Sequence, residues 1–269
     1  SIKKIKEVQI ILQSNYINYY LLNSLDSIAW LLNIRGSDIE YTPLLCCYVI
    51  IPAEGKISLF INKIKIEPII KDLQILVNFY PIEKIDTYIE SLNNKNVFGM
   101  DEKETLFYFK NICNNIGLTT KHLENPCLYP KSVKNFTELE GARKANLRDG
   151  VSVTKFLYWL KNNMKVNEIN EIKAADFLLN LRKKNQFYYS SSFDTISAFG
   201  PNAALPHYNV TKESNSIFKN NSLYLVDSGA QYYDGTTDIT RTVIIGIPTE
   251  EQKDRFTRVL KGHIAISEA

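Results

Sequence analysis

The sequence contains no long hydrophobic segment and carries little net charge. No stretch reaches the roughly 18 consecutive apolar residues that a transmembrane helix needs, and the longest apolar run, Leu44–Ile51, is typical of a buried strand. The 32 basic and 29 acidic side chains leave a net charge of only +3, and there is no long basic segment. These absences predict a protein that binds neither a membrane nor a nucleic acid.

Cysteine and histidine are also scarce. The four cysteines include no C-x-x-C pair of the zinc or redox type, and Cys46 and Cys47 lie inside the apolar run, where small buried thiols are expected. This usage favours a reducing compartment, so we predict a cytoplasmic protein in which the N-x-[ST] matches carry no glycan. Of the three histidines, His122 is expected to be exposed and His263 to have a structural role.

The pattern of the chain changes near residue 133. Residues 1–133 alternate helical and strand-like segments, which is typical of an α/β domain with an interior sheet. Within them, Gln13–Leu32 has a mostly helical spacing. Residues 134–269 place two helices ahead of an antiparallel sheet, which predicts an α+β unit. The first of these helices is predicted to begin at a capping box formed by Thr137 and Glu140.

Two aspartates lie in the most informative stretch, LYLVDSGAQYYDGTTDITRTV, which covers residues 223–243. Apolar and aromatic residues lead into Asp227, and Asp238 is predicted to lie on the neighbouring strand after a turn at Asp234-Gly235. Two carboxylates that converge cannot both stay ionised at close range, and a bound cation would remove that conflict. Carboxylate oxygens suit hard metals such as Mn²⁺ or Mg²⁺, so the pair indicates a two-metal hydrolytic site.

The same pattern has a plainer interpretation, because aspartates at strand ends commonly cap turns or face water. Spacing alone also leaves the strand register open. A two-residue loop at Asp234-Gly235 sets Asp227 opposite Thr242. Asp227 faces Asp238 only if the turn lies nearer Tyr232-Tyr233 or if a bulge intervenes.

The segment DSGAQYYDGTTDITRT resembles the first metal-binding segment of aminopeptidase P, the Xaa-Pro aminopeptidases among the creatinase-like pita-bread metalloenzymes. The resemblance extends in order through LDSIAWLLNIRGSD (residues 25–38), ISAFGPNAALPHY (residues 196–208) and FTRVLKGHIAISEA (residues 256–269). It implies an α/β creatinase-like non-catalytic domain over residues 1–133. An α+β pita-bread metallopeptidase domain, of which only the first part is present, is implied over residues 134–269.

The resemblance also implies the chemistry of the site. Asp227 matches a ligand of one metal ion and Asp238 a ligand shared by two, so the intact protein is expected to hold two Mn²⁺ per subunit. His207 matches a histidine that binds the substrate beside the metals, where a neutral imidazole can stabilise a developing oxyanion. Thr240 is either a hydrogen-bond partner of a ligand carboxylate or an ordinary β-branched strand residue. The implied activity is release of the first residue from peptides with proline second, by a cytoplasmic homodimer.

The family's dinuclear site has three further ligands, a histidine and two glutamates, and the resemblance places them after Ala269. The sequence is therefore expected to be part of a longer protein and to be inactive by itself. Two alternatives to the aminopeptidase remain open: a prolidase-type dipeptidase of the same fold, and a non-catalytic pita-bread module that binds peptides or proteins. The presence of Asp227, Asp238 and His207 favours the enzyme over the binding module.

Overall fold

The computed structural model describes residues 1–65, 70–163 and 169–269 of the chain. The chain divides into two units, Ser1–Lys134 and Asn135–Ala269. In neither unit does a helix of the described residues combine the length and the apolar character that crossing a bilayer requires.

The described part of the first unit is built on a mixed β-sheet. Its strands are β1 (Tyr19–Leu22), β2 (Cys47–Pro52), β3 (Ile57–Ile61), β4 (Val77–Tyr80), β5 (Val97–Met100) and β6 (Thr119–His122). They lie in the order β4-β3-β2-β1-β5-β6; β2 is antiparallel to both neighbours and the other pairs are parallel. The helices are α1 (Ile2–Ser14), α2 (Leu25–Leu32), α3 (Ile70–Leu73), α4 (Ile85–Glu90), α5 (Phe107–Asn115) and α6 (Leu128–Ser132).

Helices cover both faces of this sheet. Leu22 and Val49 pack with residues of α1 and α2 on one face, whereas Leu21 and Ile50 pack with residues of α4 and α5 on the other. Successive strand residues alternate between faces, so a strand buried on both sides has a continuous run of apolar residues. The prediction that the run Leu44–Ile51 contains a buried strand is confirmed by β2.

The helical interpretation of Gln13–Leu32 is wrong at its centre. Between α1 and α2 the chain forms β1, which pairs with β2 on one side and with β5 on the other. Tyr20, Leu21 and Leu22 are each only 1% exposed. Burial on both faces and two sets of strand hydrogen bonds outweigh the local helical spacing.

The described part of the second unit packs helices against two small antiparallel sheets. Its elements are α7 (Phe136–Asn163), α8 (Glu171–Arg182), β7 (Tyr188–Ser191), β8 (Ile196–Phe199), β9 (Ser222–Ser228), β10 (Ala230–Tyr232), β11 (Gly235–Thr236), β12 (Ile239–Ile245) and α9 (Glu250–Glu268). The sheets have the orders β11-β10-β7 and β12-β9-β8. Tyr224 and Val226 of β9 lie in one hydrophobic core with Phe156 of α7 and Leu178 of α8. The second helix of this unit was expected from about residue 167, which lies outside the described residues.

The helix α7 begins with a capping box, but not with the predicted one. Asn135 Oδ1 accepts a hydrogen bond from Glu138 N at 3.0 Å, and Glu138 Oε2 accepts one from Asn135 N at 2.9 Å. The prediction that Thr137 and Glu140 form the box is therefore wrong. Both pairs have the same acceptor-x-x-Glu spacing, and the backbone enters the helix at the earlier one.

Candidate metal site

Asp227 lies in β9, the central strand of its sheet, opposite Ile196 on one side and Thr240 on the other. Its strand neighbours Val226 and Ser228 are each 1% exposed, and Val226 packs in the core under the sheet, so strand alternation turns Asp227 to the opposite face. Its Oδ1 atom is nevertheless buried and has no hydrogen-bond partner among the described residues. A buried, unpartnered carboxylate oxygen is costly, and a cation at this position would remove that cost.

Asp238 lies immediately before β12 and is exposed. β9 and β12 pair so that Asp227 is opposite Thr240, and the hydrogen bond from Thr237 N to Ala230 O, at 2.9 Å, continues this register towards the turn. Asp238 is therefore the diagonal neighbour of Asp227 on one face of the two strands, a relationship that places Cα atoms about 7–8 Å apart. Carboxylates at this spacing can approach a common ligand.

The turn between these strands is at Tyr233-Asp234, so neither expected register occurs. The prediction of a turn at Asp234-Gly235 is wrong because Gly235 belongs to β11 and packs on α7, where an added Cβ would lie 3.0 Å from the Cβ of Ala145. Asp234 forms a bidentate ion pair with Arg148 of α7, at 3.1 and 2.8 Å. The guanidinium of Arg148 holds the pKa of Asp234 below its ordinary value. The Asp-Gly pair thus attaches the hairpin to a helix.

His207 lies in the loop that follows the 3₁₀ helix Gly200–Ala204, and its side chain is exposed. Its φ of 55° is in the left-handed region, which is uncommon for a residue with a side chain. His207, Asp227 and Asp238 do not form a three-ligand cluster, and no such cluster of His, Cys, Asp or Glu occurs in the described ranges. The structure places the two aspartates on one face of two paired segments and places His207 in a separate loop.

Glu171, a fully buried residue that the sequence analysis did not single out, holds both ends of the loop that carries His207. Its carboxylate accepts four hydrogen bonds, from Phe199 N at 2.6 Å, Asn202 Nδ2 at 3.0 Å, Tyr208 OH at 2.9 Å and Ser216 N at 2.9 Å. A carboxylate offers about four acceptor positions, so these donors fill it. Burial raises the pKa of Tyr208, and so does its hydrogen bond to Glu171. In the sequence, Glu171 is indistinguishable from an ordinary acidic residue in the first turn of a helix.

A second buried group lies beneath the aspartate-bearing strands. Asp149 of α7 and Arg182 of α8 form a bidentate ion pair at 2.7 and 2.8 Å, and their side chains are 0% and 2% exposed. Asp149 also accepts hydrogen bonds from Tyr232 OH at 2.8 Å and Thr237 Oγ1 at 2.9 Å. Burial raises the pKa of Tyr232, and the adjacent Asp149 carboxylate adds to the rise. The pair could not be predicted from the sequence, because single charged residues on two helices have no distinguishing local pattern.

The donors present suit a hard divalent cation. Asp227 and Asp238 supply only oxygen atoms, which Mn²⁺ and Mg²⁺ accept readily, and the unpartnered Asp227 Oδ1 is available as a ligand. Two carboxylates rarely complete a cage for such an ion. The described residues therefore fit one part of a metal centre.

Comparison with protein families identifies the class to which the chain belongs. Residues 1–138 match the Creatinase/Prolidase N-terminal domain and residues 140–269 match Metallopeptidase family M24, so the chain belongs to the creatinase/prolidase-type metallopeptidases. The expected resemblance to aminopeptidase P is confirmed, as is the expected α+β pita-bread domain behind an α/β creatinase-like domain.

The similar proteins point to one branch of that class. A "Probable Xaa-Pro aminopeptidase P" from Coccidioides posadasii (strain RMSCC 757 / Silveira) is 38% identical over 259 aligned positions, and the alignment covers 93% of this chain and 42% of that protein. A protein of the same description from Penicillium rubens is 37% identical over 278 aligned positions, and the alignment covers 99% of this chain and 45% of that protein. The chain therefore spans about two fifths of the length of the curated relatives it matches.

Two solved structures have the same fold as this chain. X-prolyl aminopeptidase from Caenorhabditis elegans, described as a cytosolic enzyme with a di-nuclear active site, has a TM-score of 0.83 and 31% identity; the match covers 93% of this chain and 42% of that one. The prolidase from Pyrococcus horikoshii OT3 has a TM-score of 0.75 at 22% identity, with 96% of this chain and 70% of that one covered, and shows the same fold.

Proposed function

We propose that the whole protein containing this chain is a metal-dependent aminopeptidase that releases the first residue from peptides with proline in the second position. The observation that carries the proposal is the pair Asp227 and Asp238 on one face of two paired strands, with Asp227 Oδ1 buried and unpartnered. The relatives described as probable Xaa-Pro aminopeptidases P support the reaction, and the di-nuclear active site of the Caenorhabditis elegans enzyme supports two metal ions.

We assign each site residue one role. Asp227 would bind one ion and Asp238 would be shared by two, for which we propose Mn²⁺. When bound, such ions supply Lewis-acid polarisation of the scissile carbonyl and activation of water at neutral pH. His207 donates a hydrogen bond to the substrate oxygen on which negative charge develops, and a neutral imidazole does so without adding a permanent charge. Glu171 holds the backbone of the loop that presents His207.

The remaining proposals concern selection and assembly. Binding of the free N-terminal amine near the carboxylates would limit the enzyme to removing one residue, and an apolar pocket would accept the proline ring. We propose residues 1–133 as a non-catalytic domain and residues 134–269 as the first part of the catalytic domain. We also propose a cytoplasmic homodimer; the cytosolic description of the Caenorhabditis elegans enzyme supports the compartment.

The test uses the whole protein, stripped of metal, refilled with Mn²⁺ and assayed on a short Xaa-Pro peptide, with bound metal counted by inductively coupled plasma mass spectrometry. Asp227→Asn and Asp238→Asn keep the side-chain size and remove the charge. Loss of an outer hydrogen-bond partner alone costs about 10–100-fold, so we expect a ligand mutant to lose at least about 100-fold in turnover together with bound metal. Asp176→Asn, at an exposed position of α8, is the control and should match the wild type.

Each alternative has its own outcome. Full turnover with two bound ions in either aspartate mutant would refute the ligand assignment. Cleavage restricted to Xaa-Pro dipeptides would favour the prolidase-type enzyme. A wild-type protein that binds no Mn²⁺ would favour the non-catalytic binding module.

A further inference from the structure

The buried ion pair Asp149–Arg182 contacts both segments that carry the aspartates. Thr237, which donates to Asp149 Oδ2 at 2.9 Å, immediately precedes Asp238. Ser228, whose carbonyl accepts from Arg182 at 3.4 Å, immediately follows Asp227. One ion pair therefore contacts the residue next to each predicted ligand.

The two aspartate segments are also in direct contact with each other. A Cβ added at Gly229 would lie 2.0 Å from the carbonyl oxygen of Thr237, so only glycine allows the two backbones to lie this close. Ser192 Oγ donates to the same Thr237 carbonyl at 2.9 Å. Thr237 Oγ1 accepts from Ala230 N at 3.0 Å, and Ala230 O accepts from Thr237 N at 2.9 Å. Hydrogen bonds through Thr237 therefore join both segments to Asp149.

Stability does not require an ion pair at this position. A buried ion pair commonly contributes no more to stability than apolar residues of similar volume, whereas its geometry is specific. The guanidinium of Arg182 presents a planar fork to both oxygens of Asp149. Asp149 in turn accepts hydrogen bonds from the hydroxyl group of Tyr232 in β10 and from that of Thr237, the residue before Asp238. This arrangement fixes the orientation of the backbone beside Asp227 and Asp238, and a metal site depends on such fixed orientation of its ligands.

We propose that Asp149 and Arg182 are positioning residues that set the metal affinity of the site by fixing the backbone next to Asp227 and Asp238; this rests on the proposed function of those two aspartates. The pair does not touch metal or substrate. It acts through Thr237 and Ser228, so its loss changes where the carboxylates point while leaving both of them in place.

The test measures Mn²⁺ binding to the whole protein by the electron paramagnetic resonance signal of free Mn²⁺, alongside thermal unfolding of the metal-free protein. Asp149→Asn keeps the volume and removes the charge that orients Arg182. We expect its Mn²⁺ dissociation constant to rise by at least about tenfold, in the range found for residues that orient metal ligands. The bound-Mn²⁺ spectrum should change as well, which loss of stability alone would not cause.

The matched control is Asp234→Asn. It breaks a bidentate ion pair between the same helix, α7, and the same hairpin, at 3.1 and 2.8 Å, but this pair is formed with Arg148 and includes no hydrogen bond to Ser228 or Thr237. We expect an unchanged Mn²⁺ dissociation constant. Weakening equal to that of Asp149→Asn would overturn the proposal, because any loosening of the hairpin would then suffice.

The remaining outcomes distinguish the positioning role of Asp149 from the ligand role of Asp227. A folded Asp149→Asn protein with wild-type Mn²⁺ affinity and spectrum would overturn the positioning role and leave the metal site intact. An Asp227→Asn protein that still binds two ions would instead refute the proposed ligands. If Asp149→Asn does not fold, Thr237→Val and Thr237→Ser decide: weak binding in the first and restored binding in the second support the proposal, and wild-type binding in both overturns it.

Discussion

Replacement of Glu171 by glutamine tests whether one buried carboxylate holds the loop that carries His207. The amide has one acceptor oxygen and two N–H donors in place of two acceptor oxygens. With the amide nitrogen at the Oε2 position, Tyr208 OH can turn to accept a hydrogen bond, but Ser216 N loses its acceptor. In the opposite orientation, Phe199 N faces a donor instead. Either way, at least one backbone N–H is left without a partner.

The expected loss of stability follows from these contacts. An orphaned buried donor costs about 1–3 kcal/mol. Loss of the negative charge weakens the remaining hydrogen bonds by about 1 kcal/mol more. We therefore expect Glu171→Gln to lower the free energy of unfolding by about 2–4 kcal/mol.

Urea unfolding of the chain in a Trp30→Phe background measures this change. Trp159 then remains as the only tryptophan, and it lies in the second unit, stacked on Phe177 with ring centroids 3.9 Å apart. Glu213→Gln, an exposed change in the same loop, is the control and should stay within about 0.5 kcal/mol of the parent. A loss for Glu171→Gln no larger than for this control would refute the role of the carboxylate.

Two further predictions concern α7 and its contacts. Gly141→Ala places a Cβ 2.1 Å from the carbonyl oxygen of Asp234 and should lower the free energy of unfolding in urea by about 1–3 kcal/mol. Gly150→Ala, on the same helix, places its Cβ in open space and should raise the free energy of unfolding by up to about 1 kcal/mol. Equal effects of the two substitutions would contradict the close approach of Gly141 to Asp234. The ion pair with Arg148 holds the pKa of Asp234 below its ordinary value of 3.8, so the pair stabilises the fold above that pH and loses this effect as pH falls through the lowered pKa. Asp234→Asn should therefore lower stability at pH 7, and this loss should shrink as the pH falls below 3.8, measured by urea unfolding across that range. A loss that stays constant with pH would assign the effect to the shape of the side chain and not to its charge.

The elements that could be predicted from the sequence are those with a local motif or a continuous run of apolar residues. β2 has apolar residues at every position because helices cover both faces of its sheet. β1 has the same surroundings, but it is short and lies between two helices, so the spacing of Gln13–Leu32 predicted a helix. Only its pairing with β2 and β5 defines it.

The site divides in the same way. Asp227, Asp238 and His207 were found through resemblance of short ordered segments, and their roles remain predictions. Glu171 and Asp149 could not be found, because their importance lies in donors that are 28 to 88 residues distant along the chain. The Asp-Gly pair also led to a wrong prediction of the strand register. Gly235 is needed for contact with α7, and the turn lies at Tyr233-Asp234.

The anchorage of the hairpin on α7 has a consequence for the order of folding. The hydrogen bonds from Tyr232 and Thr237 to Asp149 span 83 and 88 residues of chain, whereas the strands they hold are joined by a two-residue turn. A hairpin with so short a loop forms in about 1–10 μs, while closure of a loop of this length waits for the intervening segments. The two segments that carry Asp227 and Asp238 can thus pair early, and the two carboxylates reach their final orientation only when the hairpin docks. Competence to bind metal is then a late event in folding.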